Sequence, residues 1–89
     1  MRVDQLLNKL CLIKTRSIAK KACDKNLVKI NGKSAKASAN VANGDIIEYS
    51  LYGYRNLLKI IEVPTGNVSK TNAPKFYQFL EREKLEIEY

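Results

Sequence analysis

Val3-Asp4-Gln5-Leu6-Leu7-Asn8-Lys9-Leu10, followed a few residues later by Thr15-Arg16-Ser17-Ile18-Ala19-Lys20-Lys21-Ala22-Cys23-Asp24, carries the pattern of two short helices joined by a tight connection. Val3, Leu6, Leu7 and Leu10 recur at helical spacing, with Asp4 placed to cap or complement a helix N-terminus. After the apolar connector Leu12-Ile13, Thr15 is a candidate N-cap for a second helix running to about Lys25. Its apolar face is Ile18, Ala19, Ala22 and Cys23. At 100° per residue, Arg16, Lys20 and Asp24 form a strip turned away from that face, with Lys21 beside it. The outward side of the second helix is therefore basic.

Beyond the helix, Asn26 stands where a left-handed residue is needed, a conformation Asn tolerates better than most. Leu27 to Lys33 contains Asn31-Gly32 after a β-branched run, a tight-turn signal that predicts a hairpin. A small-residue stretch, Ala35 to Ala42, leads to a second turn at Asn43-Gly44-Asp45. Ile46 to Leu51 reads as one strand and Tyr54 to Val63 as another, ended by Pro64. Thr65 to Asn72 is polar and turn-rich. Ala73-Pro74 then opens a predicted C-terminal helix anchored by Phe76, Tyr77 and Leu80, after which Glu81 to Tyr89 is expected to fray. The fold class is α+β: two N-terminal helices, a small, mainly antiparallel sheet and a C-terminal helix, in one domain over residues 1–89.

The charge is a patch. Residues 1–44 hold ten basic side chains against Asp4 and Asp24, a net +8, whereas residues 45–89 carry six basic and seven acidic residues, a net −1. Such a concentration favours polyanions, nucleic acid or anionic lipid, over a surface that is charged only for solubility. Membrane-surface binding fits poorly, because the second helix lacks a bulky apolar face. Cys11 and Cys23, with no His in the chain, do not make a zinc site and are expected to be reduced core residues. No apolar run approaches the roughly twenty residues of a membrane span, and no signal peptide is evident, so the expected location is cytoplasmic. Nor is there a nucleophile motif or a phosphate-cradling Gly loop, and no enzyme activity or cofactor is expected.

Four pieces in register carry a family resemblance: Arg2-Val3-Asp4-Gln5-Leu6-Leu7, Lys14-Thr15-Arg16-Ser17-Ile18-Ala19, Val28-Lys29-Ile30-Asn31-Gly32 and Val41-Ala42-Asn43-Gly44-Asp45. In this order and spacing they resemble the S-four RNA-binding domain, named after a small-subunit ribosomal protein. The resemblance implies that residues 2–50 form the RNA-binding motif, with a closing strand and helix over 54–85. The sequence departs from the family at Asn26, where Gly is common, and at Ala37, where Pro often precedes the serine. Its whole length, including the segment from Asn72 to Leu85, is similar to the small stand-alone bacterial group with a heat-shock member and a ribosome-associated quality-control member. That resemblance implies rRNA and tRNA as partners on the large ribosomal subunit, stabilisation of peptidyl-tRNA on obstructed subunits, and a tail-elongation factor as a further partner. A role in ribosome assembly or translational regulation uses the same surface with a different RNA. Nothing suggests a coiled coil, and a monomer is expected.

RNA recognition requires cations for phosphates and donors on rigid elements. The candidate RNA-binding residues are Arg2, Lys14, Arg16, Lys20, Lys21, Lys29, Asn31, Lys33 and Lys36. Arg16 leads, because a planar fork at the start of a helix suits a phosphate; the competing structural role, an ion pair with Asp4 tying the two helices, is compatible with it. Arg2, Arg16, Lys20, Lys29 and Lys33 are the principal candidates; for Lys14, Lys20, Lys21 and Lys36 taken singly, simple solvation weighs about as much as contact. Tyr49, Tyr52 and Tyr54 are expected to pack in the core or hairpins ahead of stacking on bases. Asn31-Gly32 is read chiefly as a turn whose backbone can approach RNA.

Overall fold

A computed structural model describes residues 1–85. Helix α1 spans Val3–Lys9 and α2 spans Arg16–Asp24. Five strands follow: β1 Val28–Ile30, β2 Lys33–Ser34, β3 Ile46–Leu51, β4 Tyr54–Ile60 and β5 Tyr77–Lys84, the last preceded by a 3-10 turn at Ala73–Phe76. They form one antiparallel sheet in the order β2-β1-β3-β4-β5.

Both helices end in the same way. After α1, Cys11 adopts φ 60° while its N–H donates to the Asn8 carbonyl and that of Leu12 donates to Leu7. After α2, Asn26 adopts φ 60°, its N–H donating to Cys23 and that of Leu27 to Ala22. These are paired Schellman closures with a left-handed residue just past the cap. Thr15 caps α2 as its sequence position predicts, its Oγ1 accepting from the Ile18 N–H at 3.1 Å. Both short hairpins carry positive φ at their two central residues, Asn31-Gly32 and Tyr52-Gly53, as type I′ turns demand.

The helices pack on one face of the sheet. Val3, Leu6, Leu7, Leu10, Ile13, Ala19, Ala22 and Cys23 meet Val28, Ile47, Tyr49, Leu58 and Ile60 in a single core. Tyr49 is thus a core residue, as expected, and the buried face of β4 is the one bearing Asn56, Leu58 and Ile60. The stretch from Ala35 to Ala42 lies against the start of α1: Val3 donates to the Ala39 carbonyl at 2.8 Å, Val41 donates to Met1 at 2.9 Å, and Arg2 bridges Asn40. Small side chains permit that approach, and Ala35 and Ala37 are buried there.

Two expectations are corrected. The C-terminal helix is absent: Tyr77–Lys84 is strand β5, antiparallel to β4, and only the 3-10 turn at Ala73–Phe76 is helical. Long-range partners decide this. Arg55 on β4 reaches Glu81 and Glu83 at 3.7 and 3.6 Å, the Arg82 guanidinium sits 4.2 Å over the Tyr54 ring, and Tyr77 and Phe79 meet edge-on at 5.4 Å. The last pair is two residues apart, the period of a strand. Leu80, assigned to a helical face with Phe76 and Tyr77, is the extra residue of a bulge, since Leu57 pairs with Glu81 and Leu58 with Phe79. Glu81 and Glu83 are consequently strand residues; Glu86 and Glu88 lie outside the described residues.

The two cysteines, both expected in the core, differ in exposure. Cys23 is buried and its thiol is pushed up to about 11, by burial first and then by the neighbouring Asp4 and Asp24 charges. Cys11 is exposed, because it is the left-handed closing residue of α1 and not part of its apolar stripe. Iodoacetamide at pH 8 should therefore label the native protein once, at Cys11, with Cys23 reacting only after denaturation, as mass spectrometry of the two states will show. The raised Cys23 pKa also has a stability consequence. The folded state favours the protonated thiol, so its contribution is complete below the unfolded value of 9.0 and is lost as pH rises toward about 11.

Candidate nucleic-acid interface

The site is built around one carboxylate. Asp4, in the first turn of α1, has its side chain only 1% exposed. Arg2 grips it with two parallel bonds, Nε to Oδ1 and Nη2 to Oδ2, each 3.2 Å. Arg16, the first residue of α2, donates through Nε to Oδ2 at 3.4 Å, and the Gln5 N–H donates to Oδ1 at 2.7 Å. The predicted ion pair between the helices is therefore present. It leaves both arginine side chains about half exposed, 42% for Arg2 and 50% for Arg16. Arg16 uses only Nε on Asp4; its two terminal nitrogens donate to no side chain among the described residues. A guanidinium held on one edge by a buried carboxylate presents its other edge in a set orientation.

The two arginines open onto adjoining concavities that share Arg2 and Lys20. One, of about 260 Å³, is lined by Arg2, Asp4, Arg16, Ser17 and Lys20. The other, of about 610 Å³, adds Lys36 with Ser34, Ser38 and Asn26. Lys20 is one turn along α2 from Arg16, whereas Lys36 is brought in by the segment hydrogen-bonded to α1. Arg2, Arg16, Lys20 and Lys36 thus come together on one groove, in which Asp24 is the one acid away from the arginine clamp among its lining residues.

The other five candidate residues lie elsewhere. Lys14 lines a separate hollow with Tyr52 and Lys70. Lys21 faces Ile18, Lys25, Leu27 and Leu51 on another side of α2. Lys29 is on the outer sheet face, 3.7 Å from Glu48, and Lys33 is exposed on the edge strand β2. Asn31 is committed internally: its amide nitrogen donates to Asp45 Oδ1 at 3.1 Å and its oxygen accepts from the Ile46 N–H at 2.9 Å. That residue, itself exposed, joins the Asn31-Gly32 and Asn43-Gly44-Asp45 turns, so these two hydrogen bonds brace the sheet. The hydroxyls of Ser34 and Ser38 and the Asn26 side chain are groove residues that sequence reasoning missed. The only sequence signal for them was their position between basic residues in loops.

Residues 1–47 match the family model described as the S4 domain. The chain belongs to the S4 domain family. The matched residues contain Arg2, Asp4, Arg16, Lys20 and Lys36, and end at the third strand. The RQC P-site tRNA stabilizing factor of Bacillus subtilis is 34% identical over 96% of this chain and 98% of its own length. The protein of the same name from Streptococcus pneumoniae is 30% identical over 97% of each. Among solved structures, heat shock protein 15 of Vibrio cholerae, a trimer, superposes with a TM-score of 0.82 at 25% identity, over 89% of this chain and 80% of that one. A hypothetical protein known from a solution structure superposes with a TM-score of 0.79 at 30% identity, over 93% of this chain and all of that one.

The arginine clamp generates a prediction that opposes simple electrostatics. Replacing Asp4 with Asn raises the net charge from +7 to +8, which by itself would strengthen RNA binding. Loss of the orienting carboxylate should instead weaken binding about tenfold and cost about 1–3 kcal/mol of stability. An RNA titration and a urea unfolding curve on Asp4→Asn measure the two effects; tighter RNA binding would contradict the orienting role.

Proposed function

We propose that this chain binds rRNA and tRNA on the large ribosomal subunit and holds P-site tRNA there during ribosome-associated quality control. In that role it works in the cytoplasm as a binder and not as an enzyme, alongside a factor that elongates the tail of the stalled chain. The observation that carries this reading is the arginine pair, Arg2 and Arg16, oriented by one buried carboxylate at the mouth of a groove that also holds Lys20 and Lys36. It is supported by relatives at 30–34% identity across nearly the whole chain that carry the name RQC P-site tRNA stabilizing factor. A single copy supplies the whole groove, which favours action as a monomer.

The chemistry follows from the geometry. Structured RNA presents phosphates at fixed spacing, and two guanidiniums locked to a common anchor read that spacing with little entropy lost on binding. The positive end of the α2 dipole adds to the field where Arg16 stands. Lys20 and Lys36 then act as mobile point charges along the groove, while the serine hydroxyls can pair with phosphate or 2′-hydroxyl oxygens.

Two measurements test the reading. In cells, crosslinking and sequencing should recover P-site tRNA and large-subunit rRNA with the wild-type protein, reduced tenfold or more by Arg16→Ala and only partly by Arg16→Lys. Recovery of precursor rRNA in their place would move the function to ribosome assembly. In vitro, neutralisation of about four phosphates by Arg2, Arg16, Lys20 and Lys36 gives a logarithmic salt slope of about −3 to −4 in the duplex limit. A flat salt response would remove the electrostatic basis of the proposal.

A further inference from the structure

The hollow of about 530 Å³ between the α1–α2 connection and the β3–β4 hairpin lies outside the arginine groove, and its lining is unusual for an unused surface. It contains Asn8, Cys11, Leu12, Ile13, Lys14, Tyr52 and Lys70. Two cations, Lys14 and Lys70, stand beside one aromatic ring, and Tyr52 is 57% exposed. The apolar floor from Leu12 and Ile13 suits a flat ring. The floor is also rigid, because the Asn8 amide nitrogen donates to the carbonyls of Ile13 and Lys14 at 3.2 and 3.1 Å and holds the loop in place.

Tyr52 is the less expected residue. It occupies the first central position of a two-residue turn at φ 55°, where Asn, Asp or Gly is preferred and a bulky side chain is strained. The other such hairpin among the described residues, Asn31-Gly32, has the favoured residue at the same position. The ring at position 52 therefore opposes local backbone preference and gains little from burial. A role in contact with something outside the chain accounts for both facts.

We propose that this hollow is a second RNA subsite that takes an unpaired nucleotide, its base stacked on Tyr52 and its flanking phosphates held by Lys14 and Lys70. The inference rests on the RNA-binding reading above and extends it from backbone contact to recognition of a strand that leaves a helix. Every base has a face that can stack on an aromatic ring, so the subsite selects unpaired over paired RNA without selecting a sequence. Continuity with the groove is direct: Lys14 and Arg16 are separated only by Thr15, whose backbone is extended at φ −135° and ψ 155°. Two residues of extended chain span at most about 7 Å, so Lys14, which lines the hollow with Tyr52, stands close to the arginine clamp.

The test compares two RNA probes, a fully paired hairpin and the same hairpin with a three-nucleotide bulge, at fixed salt. Wild-type protein should prefer the bulged RNA by roughly 5- to 150-fold, the range expected for stacking of one base. Tyr52→Asn should abolish the preference while keeping affinity for the paired hairpin. That variant places the residue favoured by the turn, so it should fold at least as stably as wild type, which thermal unfolding checks. Tyr52→Phe should retain the preference, and Lys70→Ala should reduce it severalfold. Equal affinity of the wild type for both probes, or a preference unchanged in Tyr52→Asn, overturns the subsite and leaves the arginine groove standing. Failure of the wild type to bind either probe overturns the RNA-binding reading itself.

Discussion

A carboxylate buried beneath two half-exposed guanidiniums is the constraint on which this structure turns. An unpaired charge in that position would cost several kcal/mol, so Asp4 holds its place only because Arg2, Arg16 and the Gln5 N–H converge on it. The convergence fixes more than a pair of side chains. Arg2 belongs to the extended residue before α1 and Arg16 begins α2, so one carboxylate sets how the two helices meet. The same N-terminal residues are bonded to the segment from Ala37 to Val41, which delivers Lys36 to the groove. Folding and the assembly of a cationic surface are in this sense a single event.

The sheet serves that arrangement as a brace. Asp45 accepts from Asn31 and from the Ala42 N–H, while the Asn43 oxygen accepts from the Val63 N–H at 2.7 Å. These residues belong to the most recognisable stretches of the family signature, yet their polar atoms are spent on joining turns to strands. A signature residue with a polar side chain is thus as readily a structural bracket as a ligand contact. Buried or bracketed polar groups must find partners inside the fold, and the strongly turned segments here supply them.

Charge is partitioned by the same logic. On the outer face of the sheet, Lys29 approaches Glu48, and Arg55 joins Glu48 to Glu81 and Glu83. Arg55 is held further toward its charged form by the hydrogen bond and charge of Glu48. Such exposed pairs add little stability singly, but they neutralise that face. The positive potential is therefore left to the helix groove, where Arg2, Arg16, Lys20 and Lys36 gather around few acids.

Local chemistry by itself determined the two helices, the Thr15 cap, the left-handed Asn26, the Asn31-Gly32 hairpin and the bounds of the Ile46–Leu51 strand, because each depends on residues within a few positions of one another. It also located the basic half of the chain and singled out Arg16 with its Asp4 partner, since helical period and charge are legible without a third dimension. The tertiary structure alone decided the rest. Tyr77–Lys84 became a strand because β4 offered an edge with Arg55 and Tyr54 placed to receive Glu81, Glu83 and Arg82. Likewise, only folding could separate Lys36 from Lys29 and Asn31, or place Lys70 beside Tyr52 and Lys14. The physical reason is common to all of these cases: propensity acts between near neighbours, whereas the partner of a strand edge or a surface cation is chosen by how distant segments pack.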